Sequence, residues 1–480
     1  LLFSVALCWF IVSIRIPRWS HCSFSGGVSS NFRPKRHVPA GNTKRYAFWF
    51  SIIRFFARSS QANILFEYEK AFWTKIVQNA SLELVTSILS FVPRKSQFVI
   101  HLFYLSGIGQ EETVLVLAPD FPDPKLRELL FVRETSDLIA VWEGAKLTKD
   151  QAREASGVTA VHWADRFLPL LPVLLAECDT VYLNSNEHTR AVVEVETRDA
   201  RFVRYCKEKF PLHQYARVAP LMQQLRAVKS ETETGLIQQA IDLTEKGFRR
   251  ILKFVRPGVT EYEIEAEYAH EFIRAGAGFA GYQPIIASGA NACVLHYVEN
   301  SQPCRDGDLL LMDVGAGYAN YHADLTRAIP VNGRFTPRQR QVYDAVLHVM
   351  REARKMLVTG NLWDEYHREV GKIMESELIG LGLLDRHEVA KQDPDQPLYK
   401  KYFMHGTSHF LGLDVHDVGN KYQPFAPGMV FTCEPGIYIR EEGIGIRLEN
   451  NILITETGNA DLMENIPVEA EEIETLMAER

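Results

Sequence analysis

The sequence predicts an α+β fold with weak internal twofold symmetry, preceded by a smaller α/β domain. Three observations carry this reading. The C-terminal half twice runs through two amphipathic helical stretches and then a pair of acidic strands, an order that places a cleft at a pseudo-twofold axis. Between residues 98 and 220, short strand-like runs alternate with helical ones, as in a small α/β domain. Composition also shifts near residues 98 and 226, which divides the 480 residues into 1–97, 98–222 and 223–480, in keeping with a prior of about three domains. An apolar content of 46% is ordinary for a globular chain, and a net charge of −7 argues against a general nucleic-acid role.

Residues 1–97 differ from the rest. The first methionine is Met222, no aspartate precedes Asp120, and the acids before residue 100 are Glu67, Glu69 and Glu83. The apolar run Leu1–Ile14 is too short to span a bilayer comfortably, so no membrane partner is expected. An Arg-rich, Ser-rich, acid-poor stretch fits an organelle transit segment. It also fits upstream or frame-shifted sequence foreign to the folded chain. Seven cysteines without a CxxC pair point to a reducing compartment, with cytoplasm as the default.

The smaller domain follows. FYLSGIGQEETVLVLAPD alternates strand-like runs with glycine and acidic turns. LLFVRETSDLIAVWEGAKLTKDQAREASGV reads as a strand, a loop and a short helix, DTVYLN as a strand and ARFVRYCKEKF as a helix. No catalytic residues cluster here, which leaves substrate restriction or subunit contact as its role.

From Ser230 the helical spacing is clear. SETETGLIQQAIDLTEKGFRRILKFV is amphipathic, and Thr260 with Glu263 makes a capping box for the next helix. Extended QPIIASGANACVLHY leads to the first acidic strand. The second half repeats the order, with helices in TPRQRQVYDAVLHVMREARKMLV and WDEYHREVGKIMESELIGLG separated by Gly360. The expected architecture is a mostly antiparallel sheet covered by helices on one side.

The acids sit at matched places. In LLLMDVGAGYANYHADLTR, Asp313 and Asp324 flank a turn-like centre, Gly317-Tyr318-Ala319-Asn320. Folding at Tyr318-Ala319 sets the two carboxylates opposite each other at about 4.5–5.5 Å between Cβ atoms, where like charges repel unless a cation lies between them. In Met429–Glu456, a turn at Glu441-Glu442-Gly443 brings Glu434 close to Glu449. Between the hairpins, MHGTSHFLGLDVHDVG carries His405, His409 and His416. One such hairpin reads equally well as solvated acids at a loop rim; two of them with an imidazole make a hard, oxygen-rich ligand set. That set suits manganese, magnesium or cobalt better than a structural zinc. Cys433 is one residue out of step with Glu434 and should face away.

These motifs carry a family resemblance. From about Phe98 to the C-terminus, DVGAGYANYHADLTR, HGTSHFLGLDVHDVG, FTCEPGIYI and GIGIRLEN resemble the metal-dependent Xaa-Pro aminopeptidases of the pita-bread metallopeptidase family. The chain is also similar to the closely related prolidases. FYLSG followed by WEGAKL supports the aminopeptidase branch and a creatinase-like N-terminal domain, although KSQFVIHL stands where that branch carries an arginine- and proline-containing segment. The resemblance implies that Asp313, Asp324, His409, Glu434 and Glu449 bind two divalent ions, most readily manganese, with Asp324 and Glu449 bridging. Asp313 would sit on one ion, with His409 and Glu434 on the other. It further implies hydrolysis of the peptide bond before proline by a metal-activated hydroxide. His296 would lie near the scissile bond, His416 would donate to the substrate carbonyl and Glu434 would move a proton to the leaving amine. His405, Tyr438 and Arg447 would line the proline pocket, Arg447 alternatively supporting Glu449. Peptides beginning Xaa-Pro are the implied substrates, and a homodimer or homotetramer the implied assembly. A dipeptide-only prolidase is the alternative. A catalytically silent binding domain fits less well, because such members lose ligands that are all present here.

Overall fold

The computed structural model describes residues 11–12, 87–89, 100–185, 187 and 195–479. The reading of residues 1–97 as a targeting or foreign segment lies outside the described residues, apart from two short strands, β1 (Ile11–Val12) and β2 (Ser87–Leu89). The chain divides into two compact units that meet between Met222 and Gln223.

In the first unit, helix α1 (Ile100–Ser106) occupies the place where FYLS reads as a strand. Its buried residues Leu102, Tyr104 and Ser106 alternate in sequence, which imitates a strand. The helix wins because the Ser106 hydroxyl bonds the Leu102 carbonyl at 2.7 Å and Gly107, at φ 67°, supplies the left-handed residue that ends the turn. Strands β3 (Val114–Leu117) and β4 (Glu128–Val132) pair antiparallel. The stretch expected as a loop holds a further helix, α2 (Asp137–Glu143), capped by Ser136, before α3 (Lys149–Ser156). Ser136 Oγ accepts from the Ile139 amide at 3.2 Å, a start signal the apolar run after it obscures. Strand β5 (Ala160–Trp163) joins β4 in parallel, and α4 (Phe167–Leu175) follows. A second parallel pair, β6 (Thr180–Leu183) with β7 (Gln214–Arg217), is linked through α5 (Arg198–Lys209).

Helix α6 (Ala219–Ala227) leads to α7 (Glu231–Phe254) and α8 (Glu261–Arg274). At the second of these starts, Glu263 Oε2 accepts from the Thr260 amide at 2.7 Å, as the capping pattern requires. The two helices approach closely at Gly247, where a Cβ would lie 2.6 Å from the Tyr268 ring. Strands β8 (Gly278–Phe279), β9 (Ile285–Ser288), β10 (Leu309–Asp313), β11 (Ala316–Tyr318), β12 (Tyr321–His322) and β13 (Thr326–Pro330) complete the first half. Of QPIIASGANACVLHY, only Ile285–Ser288 is a strand, and Gly289–Cys293 winds into a 3₁₀ turn. Long helices α9 (Pro337–Met356) and α10 (Trp363–Gly380) and short α11 (Arg386–Val389) precede β14 (Val430–Cys433), β15 (Gly436–Ile439), β16 (Ile444–Arg447), β17 (Asn450–Ile454), β18 (Asn459–Asp461) and α12 (Ala470–Ala478).

Every described strand pair of this unit is antiparallel, but the strands form four short ladders rather than one sheet: β13-β10-β9, β12-β11-β8, β14-β17-β18 and β15-β16. The ladders break at the acids. Pro435, which has no N–H to donate, separates β14 from β15 directly after Glu434. On the first hairpin, Val314-Gly315 and Ala323-Asp324-Leu325 interrupt the strands. The apolar run Leu309–Met312 is buried throughout, as expected for a strand covered on both faces. Ile285, Ala287, Ala292, Tyr297, Leu311 and Tyr438 form one buried cluster. Cys433 Sγ donates to the Met350 carbonyl of α9 at 3.6 Å, so this thiol does face away from Glu434.

Candidate metal centre

The first hairpin closes one residue later than its sequence suggests. Tyr318 pairs with Tyr321 around Ala319 and Asn320, at φ 48° and 67°, so Asp313 stands opposite Thr326 and not Asp324. Positive φ at both central residues is the type I′ hairpin turn, whose twist matches the flanking strands. Gly317 belongs to the strand, because a Cβ there would crowd Phe279 O at 3.1 Å and the His322 ring at 3.2 Å. The slip is two residues in register, so Asp313 and Asp324 keep the same face and meet diagonally. The second hairpin closes over Arg440–Gly443, one residue wider than the expected Glu441-Glu442-Gly443, and keeps Glu434 close to Glu449. Cys433 pairs with Asn450 and Gly436 with Arg447, a register that sets Glu434 across from Glu449.

Backbone bonds tie the two hairpins and the histidine segment together. The Glu449 amide donates to Thr326 O at 3.1 Å, and the Glu434 amide to Thr407 O at 2.8 Å. The His409 amide donates to Thr432 Oγ1 at 3.0 Å, and the Thr432 amide donates back to His409 O at 3.0 Å. As a result Asp324, His409 and Glu449, all buried, offer ligand atoms that lie within 4.8 Å of one another. His409 Nε2 is 3.3 Å from Asp324 Oδ2 and 3.6 Å from Glu434 Oε1. Its Nδ1 lies 2.9 Å from the Phe410 carbonyl, a contact that orients the ring with Nε2 toward the acids. Asp313 borders the trio through Arg447. Arg447 Nη2 donates to Asp313 Oδ2 at 2.6 Å and its Nε to Thr326 Oγ1 at 3.0 Å, while Thr326 Oγ1 donates to Glu449 Oε2 at 2.7 Å.

The electrostatics are those of a site short of positive charge. Burial, reinforced by Asp324, Glu434 and Asp313, pushes the Glu449 carboxyl well above its ordinary range. Burial likewise pushes Glu434 up to about 7 and raises Asp313, with Arg447 opposing both. Asp324 alone is lowered: burial would raise it, but hydrogen bonds from His409 and Tyr282 outweigh that. Two carboxylate oxygens, Asp313 Oδ1 and Glu449 Oε1, are buried without a hydrogen-bond partner among the described residues. Each is an acceptor desolvated at a cost of about 1–3 kcal/mol, more for a charged group, unless something else satisfies it. Two buried and two half-buried acids, one oriented imidazole and two orphan oxygens fit hard divalent cations.

The other residues singled out in the sequence cluster at this centre to different degrees. The His416 ring stands 4.4 Å from the His409 ring at 74°. His405 Nε2 and Arg447 Nη1 both bond the Tyr438 hydroxyl, at 2.8 and 2.9 Å, so His405, Tyr438, Arg447 and Asp313 form one chain of contacts. Burial, with Arg447 adding to it, lowers His405 to about 4, which keeps it neutral. The Arg447 guanidinium is buried and engaged with Asp313, Thr326 and Tyr438, so it is turned toward the acids. His296 sits on an exposed loop and is near enough to His405 to oppose its protonation.

Sequence reading overlooked four residues that hold the acids in place. Tyr282 donates to Asp324 Oδ1 at 2.7 Å. Asn451 accepts from the Asp324 amide at 3.1 Å and donates to the Asp324 carbonyl at 2.7 Å. Thr326 bridges Arg447 and Glu449. Arg327, fully buried, donates to Glu449 O at 2.7 Å and to Asn450 Oδ1 at 2.7 Å. Thr326-Arg327 follow Asp324 by two residues and Asn450-Asn451 follow Glu449 directly. Polar residues in otherwise apolar strands were therefore a readable signal, whereas nothing in the sequence marks Tyr282.

Comparisons with known proteins point to one family. The profile of metallopeptidase family M24 matches residues 235–456, and that of the aminopeptidase P N-terminal domain matches residues 99–182. The Xaa-Pro aminopeptidase of Haemophilus influenzae is 36% identical over 393 residues, covering 78% of this chain and 87% of its own length. That of Escherichia coli is 37% identical over 390 residues, with 78% and 87% covered. The solved structure of aminopeptidase P from E. coli with the inhibitor Pro-Leu superposes with a TM-score of 0.74 at 34% identity, covering 86% of this chain and 98% of that one.

Proposed function

This chain belongs to metallopeptidase family M24, and on that premise we propose that it is an Xaa-Pro aminopeptidase, releasing the N-terminal residue from peptides with proline in second position. The observation that supports this most is the convergence of Asp324, His409 and Glu449, with orphan oxygens on Asp313 and Glu449, in a chain matched by aminopeptidase P along most of its length. Catalysis is assigned to residues 223–480, residues 98–222 serve as the creatinase-like domain, and residues 1–97 play no part in the reaction.

In this reading Asp313, Asp324, His409, Glu434 and Glu449 would hold two divalent ions, manganese for preference. Such ions would polarise the peptide carbonyl and lower the pKa of water, supplying a nucleophile at neutral pH. The chain's own groups do the rest. Arg447 fixes Asp313 through Oδ2 and leaves Oδ1 toward the centre. Thr326 does the same for Glu449, holding Oε2 and leaving Oε1. His416, beside His409, donates to the carbonyl oxygen as negative charge develops there. Glu434, whose Oε1 lies 3.6 Å from His409 Nε2, is the group assigned to pass a proton to the leaving amine. His405 and Tyr438 form a wall of the proline pocket, and His296 lies beside the scissile bond. Proline is accepted because recognition needs no N–H at that residue.

Cytoplasm and a homodimer or homotetramer complete the proposal. No described helix is long and apolar enough to cross a membrane. The deciding assay compares an Xaa-Pro-Xaa tripeptide with an Xaa-Pro dipeptide under added manganese. Cleavage of the tripeptide is expected, and cleavage of the dipeptide alone would replace the reading by prolidase.

A further inference from the structure

The segment carrying His416 has almost no regular structure of its own. Between Phe410 and Gly419 the backbone is tied by Gly412 N to Asp414 O at 3.1 Å, Asp417 N to Phe410 O at 2.8 Å and His322 N to Gly412 O at 3.0 Å. A side-chain clasp reaches it from the far end of the catalytic unit. Arg226, in the last turn of α6, donates from Nη2 to Asp414 Oδ2 at 2.8 Å and also to Asp417 Oδ1. Lys229, just ahead of α7, donates from Nζ to Asp417 Oδ2 at 3.0 Å. The Arg226, Lys229 and Asp417 side chains are only 2%, 1% and 1% exposed.

Lys229 is itself fixed. Its amide donates to Gly428 O at 2.7 Å, and Val228 bridges to Met429, at the edge of β14. The chain is tucked tightly around the acid, since a Cβ on Gly412 would stand 2.2 Å from Asp417 Oδ2 and 2.9 Å from Lys229 Cε. Buried ion pairs contribute little net stability compared with apolar packing of the same volume, because desolvation offsets the attraction. What this arrangement does supply is geometry. Asp414 and Asp417 flank His416 two residues before and one after, and the two cations hold both acids against a fixed strand.

We propose that Arg226, Lys229 and Asp417 are positioning residues: their clasp holds the His416 imidazole over the metal centre at the distance its donor role demands. This rests on the reading of His416 as the donor to the substrate carbonyl. A double-mutant cycle on the full chain separates the two ideas, with kcat, KM, metal content and thermal midpoint measured for His416→Ala, Asp417→Asn and the double variant. Asp417→Asn is expected to lower kcat on the order of tenfold or more, as a misplacement of about 1 Å can. KM and metal content should stay near wild type, and the double variant should be no slower than His416→Ala. If His416→Ala is slow but the two losses multiply, the clasp does not act through His416 and the proposal falls alone. If His416→Ala turns over like wild type, the donor role and the proposal fall together. Should Asp417→Asn not fold, Lys229→Gln enters the same cycle with the same expectations.

Discussion

The two acidic hairpins of the catalytic unit do the same task by different closures. The first turns over two residues, Ala319 and Asn320, both left-handed and neither a glycine, while the second uses the four residues Arg440–Gly443 with Gly443 at φ 64°. Their acids differ accordingly. On the first, both acids have partners: Asp324 is held by Tyr282 and faces His409, and Asp313 is bonded by Arg447. On the second, Glu449 has one oxygen on Thr326 and the other bare, and Glu434 takes from Thr432 Oγ1 at 3.3 Å. The acids of the first hairpin thus lean on a guanidinium and a phenol, those of the second chiefly on threonine hydroxyls, and each hairpin leaves one oxygen bare, Asp313 Oδ1 and Glu449 Oε1.

That contrast can be broken at several points. The largest effect belongs to Asp324, which meets both His409 and Tyr282. Asp324→Asn keeps the shape and removes the charge, and should cut kcat by about 10³-fold or more while the fold survives, since several kcal/mol of transition-state stabilisation are lost. Steady-state kinetics beside circular dichroism checks it, and near-normal turnover would remove Asp324 from the centre. Next comes Arg447, which reaches from the second hairpin to Asp313 and Thr326 on the first. Arg447→Lys retains a cation but loses the fork that makes three contacts at once, and a drop of about 10–100-fold in activity or metal affinity is expected. An unchanged enzyme would mean the two hairpins are not linked through that guanidinium.

A smaller effect lies where the first hairpin leans on α7. Tyr321 donates to Glu233 Oε1 at 3.0 Å, and burial raises Glu233 to about 7. A carboxyl raised above its unfolded value keeps a proton in the folded chain that the unfolded chain releases, so stability falls as pH climbs from about 4.5 to about 7. Glu233→Gln should therefore be more stable than wild type at pH 8, by up to ~3 kcal/mol, with the gap narrowing toward pH 5. Urea unfolding at the two pH values would show it, and an equal offset at both would contradict it. The smallest test swaps the turns' chemistry. Ala319→Gly should stabilise and Gly443→Ala destabilise, each by about 1 kcal/mol, because an L side chain at positive φ carries that cost. Space is not at issue at Gly443, where the nearest side-chain atom to an added Cβ, Ala290 Cβ, is 3.8 Å away.

The same contrast explains what the sequence did and did not disclose. The helices of the catalytic unit and the gathering of Asp324, His409 and Glu449 were legible, because amphipathic spacing and paired acids in apolar strands are local signals. The approach of Glu434 to Glu449 on the second hairpin was legible as well, since Gly443 marks its turn. The first was not: Ala319 carries no turn signal, and Gly317, the conspicuous glycine, lies in the strand for reasons of contact with Phe279 and His322. In the smaller unit, alternating burial disguised α1 as a strand. Tyr282, meeting Asp324 across 42 residues, belongs to tertiary structure alone.

Everything proposed for the catalytic unit requires that these acids gather to hold two divalent ions. The direct measurement is metal content per chain after equilibration with manganese and removal of free ion, on wild type and on Glu449→Gln, each confirmed folded. Two ions per wild-type chain and a clear deficit in the variant are the expected result. A wild-type chain that retains no ion, or a variant that retains the full complement, would contradict it.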